Sequence, residues 1–250
     1  MLTEATKAPI KLTSFKVLSF DCYGTLIDWE RGMGEALKPL LARTDRILTR
    51  DQALEAHARH EAALEAEFPS ARYADLLVLV HDRMAREWGV EPIPDESRAY
   101  GRSIKDWPAF VDSAAALQYL KKYFKLAILS NVDRESFRFS QARLQVEWDY
   151  VFTAEDIGSY KPDPRNFEHM LRRLEQDGFG REDLLHTSES LFHDLTPAAH
   201  LGLYSAWIHR RAGKKGTGAT FPPERMPHYD FRFTSLAKMA KAHQDFLRTV

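Results

Sequence analysis

Cysteine is almost missing from this 250-residue chain, with Cys22 standing alone. One thiol cannot close an internal disulfide, which excludes a disulfide-stapled secreted fold and agrees with a reducing, cytoplasmic setting. Long apolar runs are missing too. No stretch approaches the ~18 uninterrupted apolar residues of a membrane span, and the opening MLTEATKAPIKLTSFK lacks the apolar run of a signal peptide. Blocks of one charge are absent: 35 basic and 36 acidic residues nearly cancel, so neither a nucleic-acid surface nor a polybasic membrane anchor is indicated. A small molecule is the expected partner. A homodimer is left open.

What the chain does have is 44% apolar residues, enough for a sizeable core. Short runs rich in Val, Ile, Leu and Phe at 16–20, 125–129, 150–153, 184–187 and 205–208 read as buried strands. Segments of helical period at about 113–123, 134–144, 164–177 and 193–201 alternate with them, and Gly178 and Gly202 stand as C-cap candidates for the last two. That alternation predicts an α/β fold, a Rossmann-like doubly wound parallel sheet. His209, Arg210 and Arg211 read as the end of the last strand, and the Gly- and Pro-rich run at 213–223 as an irregular loop beside the site or simply between elements.

From 30 to 108 no strand is legible. Tyr73, Leu76, Leu77, Val80, Met84 and Trp88 form one helical stripe ending at Gly89, and Thr49 with Gln52 makes a capping box ahead of LEAHARHEAALEAEF. The spacing predicts a helical cap over 30–108 inserted into an α/β core of 1–29 plus 109–250. Asp28 to Arg31 mark its departure, and Pro92, Pro94 and the Trp107, Pro108 pair its return.

Candidate chemistry collects at strand ends. Asp21 closes the first strand in FDCYGTLIDW, Gly24 lets the following turn bring amide groups around an anion, and Thr25 adds a hydroxyl. An acid in such a place also serves as a turn or N-cap residue, so the other strand ends matter. ILSN supplies Ser130 and Asn131, GSYKP supplies Lys161, and HTSESLFHD supplies Glu189, His193 and Asp194, all toward one edge. Trp29, Tyr73 and Trp107 are candidates for an apolar wall between cap and core, with ordinary packing as the alternative. His57, His60 and His81 show no metal-ligand spacing to an acid partner, so no metal site is predicted.

Asp21 with Gly24 and Thr25, then Ser130, then Lys161, then an acidic cluster resembles the ordered four-motif signature of the haloacid dehalogenase superfamily, over roughly residues 16–210. The resemblance implies that Asp21 attacks the substrate, that Ser130 and Asn131 bind anionic groups, and that Lys161 steadies the nucleophile. Phosphatases of that superfamily usually place a second Asp two positions after the nucleophile to protonate the departing alkoxide. Here the position is Tyr23, a phenol of pKa ~10 and a poor acid at neutral pH.

The DCYGT form resembles the 2-haloacid dehalogenase branch. It implies displacement of halide beside a carboxylate, an aspartyl-ester intermediate, no metal or other cofactor, and Cys22 and Tyr23 at the substrate. The fourth motif departs from that pattern: Leu191 falls where dehalogenases have the Asn near their water, so Asp194, assisted by His193 or Glu189, is expected to orient it, with His193 otherwise facing solvent. An early cap arginine commonly takes the substrate carboxylate in dehalogenases, and Arg31, Arg59 and Arg72 are the candidates.

DCYGTLIDWE, IKDWPAF, SAWIHRR and RMPHYDFRF are also similar to azetidine-2-carboxylate hydrolases, dehalogenase relatives that open a strained cyclic amine beside a carboxylate. The remaining alternatives are a phosphatase with Glu189 and Asp194 helping to hold magnesium, and a catalytically silent member that binds a ligand or protein.

Overall fold

The computed structural model describes residues 10–248, so the start of the expected core segment, residues 1–9, lies outside the described residues. Six strands form one sheet: β1 (Val17–Phe20), β2 (Lys125–Ser130), β3 (Tyr150–Thr153), β4 (Leu184–Ser188), β5 (Tyr204–Ile208) and β6 (Phe231–Phe233). They pair in the order β3-β2-β1-β4-β5-β6, parallel throughout. All four residues of β1 are buried, as a central strand covered on both faces requires. The sheet winds away from β1 in two directions, so the crevice beyond the carboxyl ends of β1 and β4 is the topological switch point. Phe20 lies opposite both Ile128 and Thr187, which brings Asp21, Ser130 and Ser188 to nearly one level.

Between β1 and β2 the chain makes a layer of helices: α1 (Trp29–Ala36), α2 (Lys38–Leu41), α3 (Arg50–Glu67), α4 (Tyr73–Glu87) and α5 (Pro94–Arg102). Among the described residues no strand interrupts this layer. Thr49 and Gln52 form the reciprocal capping box at the start of α3, and the Tyr73 stripe is the buried face of α4. Departing and returning segments are pinned side by side, because Asp28 N donates to the Pro108 carbonyl (2.8 Å) and Ile27 makes an antiparallel bridge with Ala109. Pro94 opens α5, so the Pro92, Pro94 cluster starts a helix within the layer instead of marking its return.

The sheet is flanked by α6 (Ser113–Leu120), α7 (Arg134–Leu144), α8 (Ala154–Ile157), α9 (Pro164–Gln176), α10 (Thr196–His200) and α11 (Leu236–Arg248). Among the core elements, β6, α8 and α11 lie beyond the expected set. The expected helix at 193–201 is a π-turn over Leu191–Leu195 followed by α10, and this wider turn buries both His193 and Asp194. Among the described residues no helix is long and apolar enough to cross a membrane.

Trp107 seals the return segment against α1. A Cβ at Gly32 would lie 2.2 Å from Trp107 Cδ1. Gly32→Ala is therefore expected to destabilise the protein by about 1–3 kcal/mol, read as a fall in Tm of roughly 2–4 °C per kcal/mol at this chain length. An unchanged Tm would show that the helix and the tryptophan do not pack this closely.

Candidate active site

The Asp21 amide donates to the Thr187 carbonyl (3.1 Å), which fixes the residue at the β1–β4 crevice. The turn that follows demands glycine twice over: Gly24 has φ +84°, and a Cβ there would stand 2.9 Å from Trp29 Nε1. Thr25 Oγ1 donates to Asp21 Oδ2 (2.9 Å) and accepts from the Glu189 amide (2.8 Å). Arg210, past the end of β5 instead of within it, donates to the Thr25 carbonyl from Nε and Nη2 (3.0 and 2.9 Å) and to Asp112 from Nη1 (2.8 Å). The loop carrying the acid is thus held from both sides.

Lys161 is buried, and its Nζ donates to Asp21 Oδ1 (3.0 Å), Asp194 Oδ1 (2.6 Å) and the Leu129 carbonyl (2.8 Å), using all three donors. Burial opposes its charge, but Asp194 and Asp21 outweigh burial and raise its pKa. Behind Asp194, His186 Nε2 contacts Oδ1 at 2.9 Å and His186 Nδ1 contacts Ser19 Oγ at 2.8 Å. A carboxylate only accepts, so Nε2 donates to Asp194. Burial would raise the Asp194 pKa, yet Lys161 and His186 bring it down to about 2. Asp21 goes the other way: burial, with the charge of Asp194, raises its pKa against the pull of Lys161 and Thr25.

These groups open on a cavity of about 30 Å³ between the helical layer and the sheet. Tyr23 forms one wall with its ring stacked on Tyr73, centroids 6.1 Å apart, and its hydroxyl bonded to Ser140 (3.0 Å). Burial pushes that phenol well above its ordinary value. Glu61 and Glu65, one turn apart on α3, both reach the cavity. Glu61 Oε1 accepts from Tyr73 (2.5 Å) and meets His57 Nε2 at 3.3 Å; burial would raise its pKa, but these partners lower it. Glu65 Oε1 accepts from Asn131 Nδ2 (3.0 Å), and Oε2 lies 3.3 Å from His193 Nε2.

Three buried polar atoms on residues lining this cavity have no hydrogen-bond partner: Ser130 Oγ, His193 Nε2 and Asp194 Oδ2. Buried polar atoms are almost always paired, so such a cluster marks a place for a ligand or water. A larger hollow of about 760 Å³ lies between α1 and α5, lined by Arg31, Glu96 and Arg102 among others. The smaller cavity holds the converging titratable groups and is the candidate site.

A family model for haloacid dehalogenase-like hydrolases matches residues 15–202. The chain belongs to that family. Among curated proteins, (S)-2-haloacid dehalogenase 4A of Burkholderia cepacia is 26% identical over 207 residues, 79% of this chain and 84% of that one. Among solved structures, the L-2-haloacid dehalogenase from Xanthobacter autotrophicus superposes with a TM-score of 0.74 at 18% identity, covering 92% of this chain and 98% of that one. The defluorinating L-2-haloacid dehalogenase Rha0230 gives 0.73 at 21% identity, covering 95% and 100%. At such identities the structures show a shared fold.

In this haloacid dehalogenase-like hydrolase the structure gathers Asp21, Tyr23, Trp29, Tyr73, Ser130, Asn131, Lys161, His193 and Asp194 around the cavity, with Thr25 one hydrogen bond behind. His193 faces the cavity and not solvent. Asn131 is a brace: Nδ2 donates to Glu65 and to the Lys161 carbonyl, and Oδ1 accepts from the Lys161 amide. Other expectations fail. Cys22 is fully buried in the core, where burial pushes its thiol up, and it does not line the cavity. Trp107 stands one layer back, edge-on to Tyr23 at 5.4 Å, with its Nε1 on Ser103. Glu189 lies outside the lining, its Oε2 accepting from Thr220 (2.6 Å) and its pKa pushed up to about 7 by burial.

Arg31 lines the outer hollow, Arg59 pairs with Glu87, and Arg72 pairs with Asp133 and Glu135, so none of the three reaches the cavity. Glu61, Glu65, Ser190 and Thr220 were not anticipated in the lining, nor His186 behind it. Thr220 shows that the 213–223 loop lies against the site.

Proposed function

We propose that this hydrolase displaces a leaving group from the carbon beside a carboxylate. Asp21 attacks, a halide departs with its electron pair, and water then cleaves the aspartyl ester. The observation that carries this reading is an Asp21 carboxylate held by Lys161 and Thr25, opening on a cavity where the only first-motif neighbour, Tyr23, has its phenol engaged by Ser140. The position two residues after the nucleophile thus carries no carboxylic acid to protonate an alkoxide, and a halide needs none. The raised pKa of Asp21 makes it a stronger nucleophile once ionised, so ester formation is lost as pH falls through that raised value. Ser130 Oγ is the free donor for the substrate carboxylate. A cavity of about 30 Å³ is water-sized, so its lining must open for a substrate to enter.

The reading calls for no metal. A magnesium ion would find Asp194 Oδ1 taken by Lys161 and His186, and Glu189 turned to Thr220. Among the described residues no three His, Cys, Asp or Glu side chains gather as a metal-holding group.

One observation favours a second reading, in which the leaving group is the nitrogen of a strained ring. Glu61 and Glu65 line the cavity and, among the described residues, no arginine does, a lining suited to an ammonium. The test is a set of parallel assays with 2-chloropropionate enantiomers, azetidine-2-carboxylate and a phosphate ester, with and without magnesium. Halide release from one enantiomer, with inverted 2-hydroxy acid and no response to magnesium, is the expected result. Ring opening alone would favour the second reading, and magnesium-dependent phosphate release alone would overturn both.

A further inference from the structure

We infer that His193, set against Glu65 of α3, is the general base that takes a proton from the water attacking the Asp21 ester, so the helical layer supplies part of the second half-reaction. This rests on the aspartyl-ester reading above.

The geometry assigns a direction to each ring nitrogen. Ser190 Oγ accepts from the His193 amide (3.0 Å) and lies 3.3 Å from Nδ1, and in the tautomer whose Nδ1–H donates to that oxygen the neutral ring keeps its lone pair on Nε2. Nε2 approaches Glu65 Oε2 at 3.3 Å without hydrogen-bond geometry and is left free for a third group. Asp194 Oδ2 is the other unpartnered acceptor of the lining and Ser130 Oγ the unpartnered hydroxyl. The cavity they share is large enough for a water molecule.

Asp194 is the weaker candidate for the base. Its Oδ1 is shared by Lys161 and His186, and these partners hold it down to about 2, where a carboxylate has little affinity for a proton. Oδ2 is suited to orient the water. Burial lowers the affinity of His193 for a proton, but Glu65, with Glu61 from the same helix and Asp194 from its own turn, raises it overall; Lys161 and Asp21 are the other charged groups around the cavity.

Water oxygen bonds to Asp21 Cγ while one water proton passes to His193 Nε2. The bond from Cγ to the substrate oxygen then breaks, the departing alkoxide takes that proton back, and the second water proton leaves Asp21 for solvent. Glu65 steadies the transient imidazolium.

The experiment follows a single turnover of whichever probe the wild type converts, 2-chloropropionate or azetidine-2-carboxylate, by intact mass of the protein. His193→Gln is expected to form the Asp21 adduct at close to the wild-type rate and to release it at least about 100-fold more slowly. Glu65→Gln is expected to slow release by about 10-fold and to move the rising limb of its pH profile to lower pH, because the imidazole loses the carboxylate that raises it. A packing role would leave that limb in place. Adducts that clear at the wild-type rate in both variants, with an unmoved pH profile, would overturn the inference. If wild type and variants turn over with no adduct on Asp21, the aspartyl-ester reading itself fails.

Discussion

Asp21→Asn is expected to lower turnover by at least about 10⁴-fold, the scale of losing a covalent nucleophile. The amide has nearly the same shape, so its single oxygen can still accept from Lys161 while its NH2 group meets Thr25 Oγ1, but a neutral amide oxygen does not displace halide or a ring nitrogen. Lys161 would keep Asp194, a balanced pair of opposite charges, and the protein would shed one buried carboxylate that burial disfavours. Stability should therefore hold or rise while activity vanishes, the opposite of what a structural aspartate would show. Steady-state rates with thermal unfolding of the same preparation provide the measurement, and intact mass should show no adduct. Activity within about 100-fold of wild type would move the nucleophile elsewhere, since general assistance by one group accounts for about that much.

The strand-end residues were legible because a parallel sheet delivers chemistry at the carboxyl ends of short apolar runs. VLSF before Asp21 and KLAILS ending in Ser130 are such runs on adjacent strands, and their register brings the two within one residue of the same level. Neighbours in sequence were misread for the same reason. Consecutive residues leaving a strand point to opposite faces, so with Asp21 in the crevice Cys22 must enter the core. Glu61 and Glu65 were hidden because acids among alanines read as the solvated face of a helix, and only the packing of α3 against α4 and the loops carrying Asn131 and His193 buries them. His186 sits inside a buried strand, where a histidine reads as core until Asp194 is seen to reach it. β6 is three residues long, too short for any period, whereas Leu236, Met239, Ala240 and His243 did carry the helical spacing of α11.

Lys161→Met should be the most destabilising single change at the site. The lysine side chain is 1% exposed between two carboxylates, and methionine fills much of its volume without its charge. Breaking a buried ion pair by removing one partner costs about 3–5 kcal/mol, because the remaining charge is left uncompensated, and here two remain. The sign with pH follows from the shifts. In the wild type the lowered pKa of Asp194 gives stability that is present above the unfolded value and lost as pH falls through about 2. The raised pKa of Asp21 works in reverse, its contribution present below the unfolded value and lost as pH rises. Without Lys161 both carboxyls shift upward, so the variant gains relative stability as they protonate. Denaturant unfolding should thus show the largest gap between the two proteins near pH 7 and a smaller one at pH 4. Adding Asp194→Asn to Lys161→Met should recover part of the lost stability by removing one stranded charge, yet recover no activity, because the nucleophile would still lack its cation. A gap that stays constant with pH, or a second substitution that adds its own full cost, would mean that the three side chains are not charged as a set.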